Sequence, residues 1–86
     1  MPIDREGKLP LYRQIANELR RDIEAGRYAA GRRLPSENEL AAYYEVNRLT
    51  IRKGICLLVE EGLCEKVPGR GTFVSEQQAA LSARSA

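Results

Sequence analysis

The sequence predicts an α+β domain, a core of three helices closed by a small antiparallel β-hairpin. Three observations carry this expectation. Apolar residues recur at helical spacing in two long segments, one from Leu11 to Ile23 and one from Ile51 to Val59. Between them, Ser36-Glu37-Asn38-Glu39 has the pattern of a capping box, which starts a further, shorter helix. After them, two runs with strand character flank the turn Pro68-Gly69-Arg70-Gly71.

Residues 1–8 are polar enough to be expected loose. Pro10 then opens the first helix, because its fixed φ suits a first turn and its missing N–H is one that turn could not use. Leu11, Ile15, Leu19 and Ile23 repeat every four residues, and Gly26 follows the last turn. Tyr12 or Ala16 is expected beside this stripe. The charges of Arg13, Glu18, Arg20, Arg21, Asp22 and Glu24 read as its solvated face. The turn from Tyr28 to Arg33 leads to Leu34, where a first short strand is expected, with Arg32 and Arg33 as exposed loop cations.

Pro35 biases Leu34 toward extended backbone, so the second helix begins at Ser36. The Ser36 hydroxyl can accept from the backbone N–H three residues on, while Glu39 reaches back to the cap. Leu40, Ala41 and Tyr44 share one face, and the helix ends near Tyr44. Glu45-Val46-Asn47 is a tight connection: Val46 can plug the corner, and Asn47 is a good N-cap. The third helix runs from Arg48 to about Glu61, with Ile51, Ile55, Leu58 and Val59 as its core stripe. Gly62 can close it as a left-handed cap. Leu63 to Val67 alternates like a half-buried strand, and Thr72-Phe73-Val74 is a second short strand.

Arg48 and Arg52 lie four residues apart on the third helix, away from its core stripe. A cation in a first turn opposes the helix dipole by a few tenths of a kcal/mol, so stability alone does not place Arg48 there. A phosphate or guanine partner explains it, since the planar guanidinium fork matches phosphate oxygens and the O6/N7 edge of guanine. Taken by themselves, two such arginines also read as a solvated charged face. The following Gly-Arg-Gly tip carries little side-chain bulk and one cation, and can lie close to a sugar-phosphate backbone. It too can be an ordinary turn.

Several separated blocks nevertheless agree in order and spacing. Leu34-Pro35-Ser36-Glu37-Asn38-Glu39-Leu40-Ala41, Val46-Asn47-Arg48 with Thr50-Ile51-Arg52, Glu60-Glu61-Gly62-Leu63 and Gly69-Arg70-Gly71-Thr72-Phe73-Val74 closely resemble the winged helix-turn-helix domain of GntR-type bacterial transcription regulators. Pro10 to Ala16 and the Glu24-Ala25-Gly26 turn are most similar to the HutC-type subfamily. The resemblance implies a winged helix-turn-helix at residues 9–75, a sequence-specific regulator of transcription, expected to be a repressor. It implies that helix three enters the major groove of double-stranded DNA at an inverted-repeat operator. By the same analogy Asn38, Arg48, Arg52 and Gly69 contact operator DNA, and Thr50 and Thr72 contact phosphate. Ser36, Asn47, Lys53 and Arg70 complete the candidate DNA-binding set. Many members carry arginine where this chain has Asn38, serine or threonine where it has Asn47, and alanine where it has Gly54. Asn38 can bond an adenine edge or a phosphate but is a poor guanine reader. Mid-helix glycine costs roughly 1 kcal/mol relative to alanine, so Gly54 either admits a close helix approach or lowers stability.

Composition sets the limits. At 86 residues the chain supports one modest core. Its net charge of +2 is small for a nucleic-acid binder. Placement matters more than the total: Arg48, Arg52, Lys53, Lys66 and Arg70 cluster on helix three and the hairpin, with Glu60 and Glu61 at the far end. Binding by a monomer is expected to be weak and salt-dependent. There is no histidine, and Cys56 and Cys64 are the two cysteines, expected as half-buried free thiols. No zinc site, cofactor or catalytic constellation is expected, so the chain is not read as an enzyme. No apolar run suits a signal peptide or a membrane span, and a cytoplasmic location is expected. Residues 76–86 read as a linker or frayed tail. Relatives implied by the resemblance continue into a C-terminal domain that binds a small-molecule effector and forms a homodimer. No segment matching that domain is seen, and the chain reads as a fragment of such a regulator or a short stand-alone protein. The rival expectation is a winged helix used for protein–protein contact, in which the arginines meet acidic side chains.

Overall fold

The computed structural model describes residues 3–75. The expected tail at 76–86 lies outside the described residues. The elements are α1 (Leu11–Glu24), α2 (Glu37–Tyr44), α3 (Arg48–Glu60), β1 (Cys64–Val67) and β2 (Gly71–Val74). This is the α+β architecture expected, three helices and a two-stranded antiparallel sheet.

Helix α1 buries Ile15, Ala16, Leu19 and Ile23. Its end is a Schellman closure: Arg27 N–H donates to the Asp22 carbonyl at 2.9 Å and Gly26, at φ +86°, donates to Ile23. Helix α2 buries Leu40 and Tyr44 and starts in the expected reciprocal cap. Glu39 N–H donates to the Ser36 hydroxyl at 3.0 Å, and Ser36 N–H donates to the Glu39 carboxylate at 2.8 Å. Helix α3 buries Ile51, Gly54, Ile55 and Leu58. It closes as α1 does, through Leu63 N–H to the Leu58 carbonyl and Gly62 at φ +81°.

Gly54 faces α1. A Cβ built there would lie 3.0 Å from the Tyr12 carbonyl oxygen, 3.5 Å from Ile15 Cγ2 and 3.6 Å from the Ala16 nitrogen. The glycine therefore permits the close crossing of α1 and α3, the first of the two alternatives its position raised.

In the hairpin, Cys64 pairs with Val74, Glu65 with Phe73, Lys66 with Thr72 and Val67 with Gly71. The expected first strand at Leu34 is reduced to one bridge, Arg33 opposite Phe73. Leu34 N–H donates to the Thr72 carbonyl and Val74 N–H to the Arg32 carbonyl, both at 2.8 Å. Pro35 has no N–H with which to lengthen the ladder.

Residues 3–8, read from composition as loose, make specific contacts. Ile3 is part of the core. The Gln14 side-chain amide donates to the carbonyls of Asp4 and Leu9 at 2.7 and 2.8 Å. Arg5 Nη2 donates to the Tyr44 and Glu45 carbonyls at 2.9 and 2.6 Å, placing a cation at the C-terminus of α2. Those carbonyls end a helix whose cap, Glu45, is the positive-φ non-glycine residue at +58°. The polar composition concealed this segment because its anchors are one isoleucine and one arginine.

The thiols also differ from expectation. Cys56 is exposed and Cys64 is buried. Burial, with Glu61 nearby, pushes the Cys64 thiol up to about 11, away from the thiolate that redox chemistry requires.

Candidate nucleic-acid interface

Because the apolar stripe of α3 is turned toward α1, its opposite side carries Arg48, Leu49, Arg52 and Lys53 into solvent. Asn47 fixes where this helix starts. Its Oδ1 accepts from Thr50 N–H at 2.8 Å and from the Thr50 hydroxyl at 3.0 Å. The first turn contains no acidic residue to offset the dipole, and Arg48 occupies its first position. Arg48, Lys53 and Arg70 make no salt bridge among the described residues. Leu49 is 57% exposed, a large apolar side chain set among these cations. Sequence reasoning passed over it because it belongs to no core stripe and carries no charge.

Arg52 is held. Its Nη2 donates to Glu37 Oε1 at 3.0 Å and its Nε to Oε2 at 3.3 Å. Lys66 Nζ lies 3.8 Å from the same Oε2. One carboxylate at the start of α2 thus gathers cations from α3 and β1. The Arg52 hydrogen bonds hold the Glu37 carboxyl below its ordinary range, against the opposing effect of partial burial, with the charges of Arg52, Lys66 and Arg48 adding to the lowering. The Arg52 guanidinium is correspondingly raised, chiefly by the same hydrogen bonds. Glu37 was legible in the sequence only as part of the capping box.

At the hairpin tip, Arg70 N–H donates to the Val67 carbonyl at 2.9 Å, with Pro68 and Gly69 between them and Gly69 at φ +76°. That is the arrangement of a type II turn, in which the third residue must adopt positive φ. A Cβ at Gly69 would meet no atom within 4 Å, so the requirement is conformational rather than steric. A groove of about 360 Å³ runs between this tip and the start of α2, lined by Glu37, Lys66, Pro68, Gly69 and Thr72. On the other side of the tip, Arg33, Gly69, Arg70 and Phe73 line a second, more open depression. The tip, α2 and α3 therefore border one surface, and Arg33 reaches it through its bridge to Phe73.

The remaining candidates divide. Asn38 is exposed on the first turn of α2. Ser36 is exposed, but its hydroxyl is already engaged in the cap. Thr50 is half-buried and spends its hydroxyl proton on Asn47. Thr72 is 7% exposed, on the inward side of β2 with Val74, and it also lines the groove beside Glu37 and Gly69. Strand parity explains its side, since seating Val74 in the core turns the residue two before it inward as well. Among the described residues there is no cluster of side chains able to hold a metal ion, and no helix is long and apolar enough to cross a membrane.

Residues 11–74 match the model of the gntR family of bacterial regulatory proteins. The chain is similar to the probable fructoselysine utilization operon transcriptional repressor of Escherichia coli, with 44% identity over 75 residues, 87% of this chain and 31% of that protein. It is similar to the transcriptional repressor NagR of Bacillus subtilis, with 40% identity over 76 residues, 88% of this chain and 31% of that one. Thus it spans 31% of the length of these relatives. Among solved structures, the DNA-binding domain of AraR in complex with operator ORR3 matches with a TM-score of 0.77 and 41% identity, over 87% of this chain and 90% of that one. A GntR family transcriptional regulator from Listeria monocytogenes matches with a TM-score of 0.83 and 30% identity, over 96% and 73% of the respective chains.

Proposed function

This chain belongs to the gntR family of bacterial regulatory proteins, and from that premise we propose that it binds double-stranded DNA sequence-specifically as the DNA-reading domain of a transcriptional repressor. Helix α3 enters the major groove with its N-terminal turns toward the base edges, and the hairpin lies against the backbone or the minor groove. Arg52 reads a guanine edge, and Arg48, Lys53 and Arg70 meet phosphates. Asn38 meets an adenine edge or a phosphate, and Leu49 meets a thymine methyl group. The backbone of Gly69 lets the hairpin approach closely. Two copies bind an inverted repeat; dimerisation and effector binding are assigned to no residue of this chain. The site of action is the cytoplasm, and no catalytic role is assigned.

One observation carries this reading. The cations of α3 and β1 converge on Glu37, which shares a groove with Gly69, and a duplex needs those groups on one continuous surface. A protein-contact module has no such requirement.

The test is selection from a random duplex pool at moderate salt, using the chain with and without a dimerising tag. Enrichment of a short inverted repeat by the tagged chain is the expected result. A folded, tagged chain that enriches nothing overturns sequence-specific binding and favours contact with an acidic protein surface.

A further inference from the structure

The Glu37 carboxylate is favoured by the cations around it and by the start of α2, but in the middle of a cationic DNA-facing surface it opposes the approach of phosphate. Glu37 repels phosphate and neutralises Arg52, the side chain best placed to bind it. A stabilising role in the helix cap does not require it, because the reciprocal cap is made by Ser36 and Glu39. What Glu37 does do is specific in geometry. It takes the Nε–H and one Nη2–H of Arg52 along one edge of the guanidinium. Arginine has five N–H donors in a plane, so the terminal fork of Nη1 and Nη2 stays open in that plane. That fork is the pair of donors that fits the O6 and N7 acceptors of one guanine. A phosphate can also take that fork, but its oxygens accept from several directions, whereas the guanine edge accepts only in the plane of the base pair.

We propose that Glu37 is a specificity-determining positioning residue of the DNA interface, holding Arg52 in the plane that reads guanine and withholding it from unspecific phosphate contact. The proposal rests on the DNA-binding reading above and goes beyond it by assigning an acidic residue to the discrimination step. Lys66, 3.8 Å from Glu37 Oε2, steadies the carboxylate from the hairpin side. Binding to any duplex is thereby made weaker, while preference for the right duplex is made larger.

The experiment compares the wild-type chain, Glu37→Gln, Glu37→Asp, Arg52→Ala and Glu37→Gln/Arg52→Ala, all carrying the dimerising tag. The probes are the duplex enriched from the random pool and a scrambled duplex of equal length. For Glu37→Gln, affinity for the scrambled duplex is expected to rise and the enriched-to-scrambled ratio to fall by roughly tenfold. Glu37→Asp keeps the charge but shortens the reach, so the ratio is expected to fall with little gain on the scrambled duplex. In the Arg52→Ala background the Glu37→Gln change is expected to leave the ratio where Arg52→Ala alone puts it. Ratios equal to wild type in both single Glu37 variants overturn the proposal while leaving the DNA-binding reading intact. A ratio lost equally in the Arg52→Ala background also overturns it, because Glu37 then acts without Arg52. Failure of the wild-type chain to enrich any duplex overturns both.

Discussion

Replacing Gly54 by alanine sets two calculable effects against each other. Alanine in mid-helix is favoured over glycine by roughly 1 kcal/mol, so propensity alone makes the variant more stable. The added methyl, however, would sit 3.0 Å from the Tyr12 carbonyl oxygen. That is a backbone atom of α1, which cannot swing aside as a side-chain end would. Relief requires α1 and α3 to separate by a few tenths of an ångström across Ile15, Ile51 and Ile55, which are essentially inaccessible to solvent. Overpacking of this kind costs about 1–3 kcal/mol. The net expectation is a loss of about 1 kcal/mol, which lowers the melting temperature by about 4–8 °C for a domain of this size. Urea unfolding followed by circular dichroism measures it, with an unchanged m-value confirming that stability alone has moved. A variant more stable than wild type refutes the reasoning, since the helix crossing would then have room for a methyl group and Gly54 would be merely a weak helix former.

Three further outcomes follow from the interface. Arg70→Ala should reduce the slope of log affinity against log salt by about one phosphate contact on any duplex; an unchanged slope removes the hairpin arginine from the phosphate-contacting set. Asn47→Ala should lower stability by about 1 kcal/mol through loss of the α3 cap, and Asn47→Ser should restore it. If Asn47→Ser melts like wild type yet binds the enriched duplex less well, the amide itself touches DNA. The Glu37 carboxyl titrates below its ordinary value because of Arg52, so what its ionised form contributes to stability is present above the unfolded carboxylate range and is lost as pH falls through the lowered folded value. The stability gap between wild type and Glu37→Gln should therefore shrink on acidification below about pH 4.5. A gap that is the same at neutral and acid pH removes the ion pair as its source.

The parts of this domain written in local sequence were legible in advance. Ser36 with Glu39, Asn47 before Arg48, and Gly26 and Gly62 after two apolar stripes each act within a few residues, so spacing reveals them. The first short strand, expected at Leu34, was overestimated because Leu34 has strand character, whereas the neighbouring proline denies it a ladder. Thr72 was named as a phosphate contact from the family resemblance; the side of β2 it occupies is fixed two residues later by Val74. The anchoring of Ile3 and Arg5 and the grip of Glu37 on Arg52 were not legible at all. Arg5 reaches carbonyls 39 and 40 residues away, and Glu37 a side chain 15 residues away, so both depend on how finished helices are set against one another. The cationic residues of α3 could be named from sequence, but the carboxylate that orients one of them required the tertiary arrangement.

The most direct test of the interface is the affinity of Arg52→Ala for the enriched duplex and for a scrambled duplex, measured at one salt concentration. A base-reading Arg52 should show a loss of roughly 1–3 kcal/mol on the enriched duplex, little loss on the scrambled one, and relaxed preference at a single base pair. Equal loss on both duplexes would contradict the account, leaving Arg52 as a phosphate contact and α3 without its proposed reader of sequence.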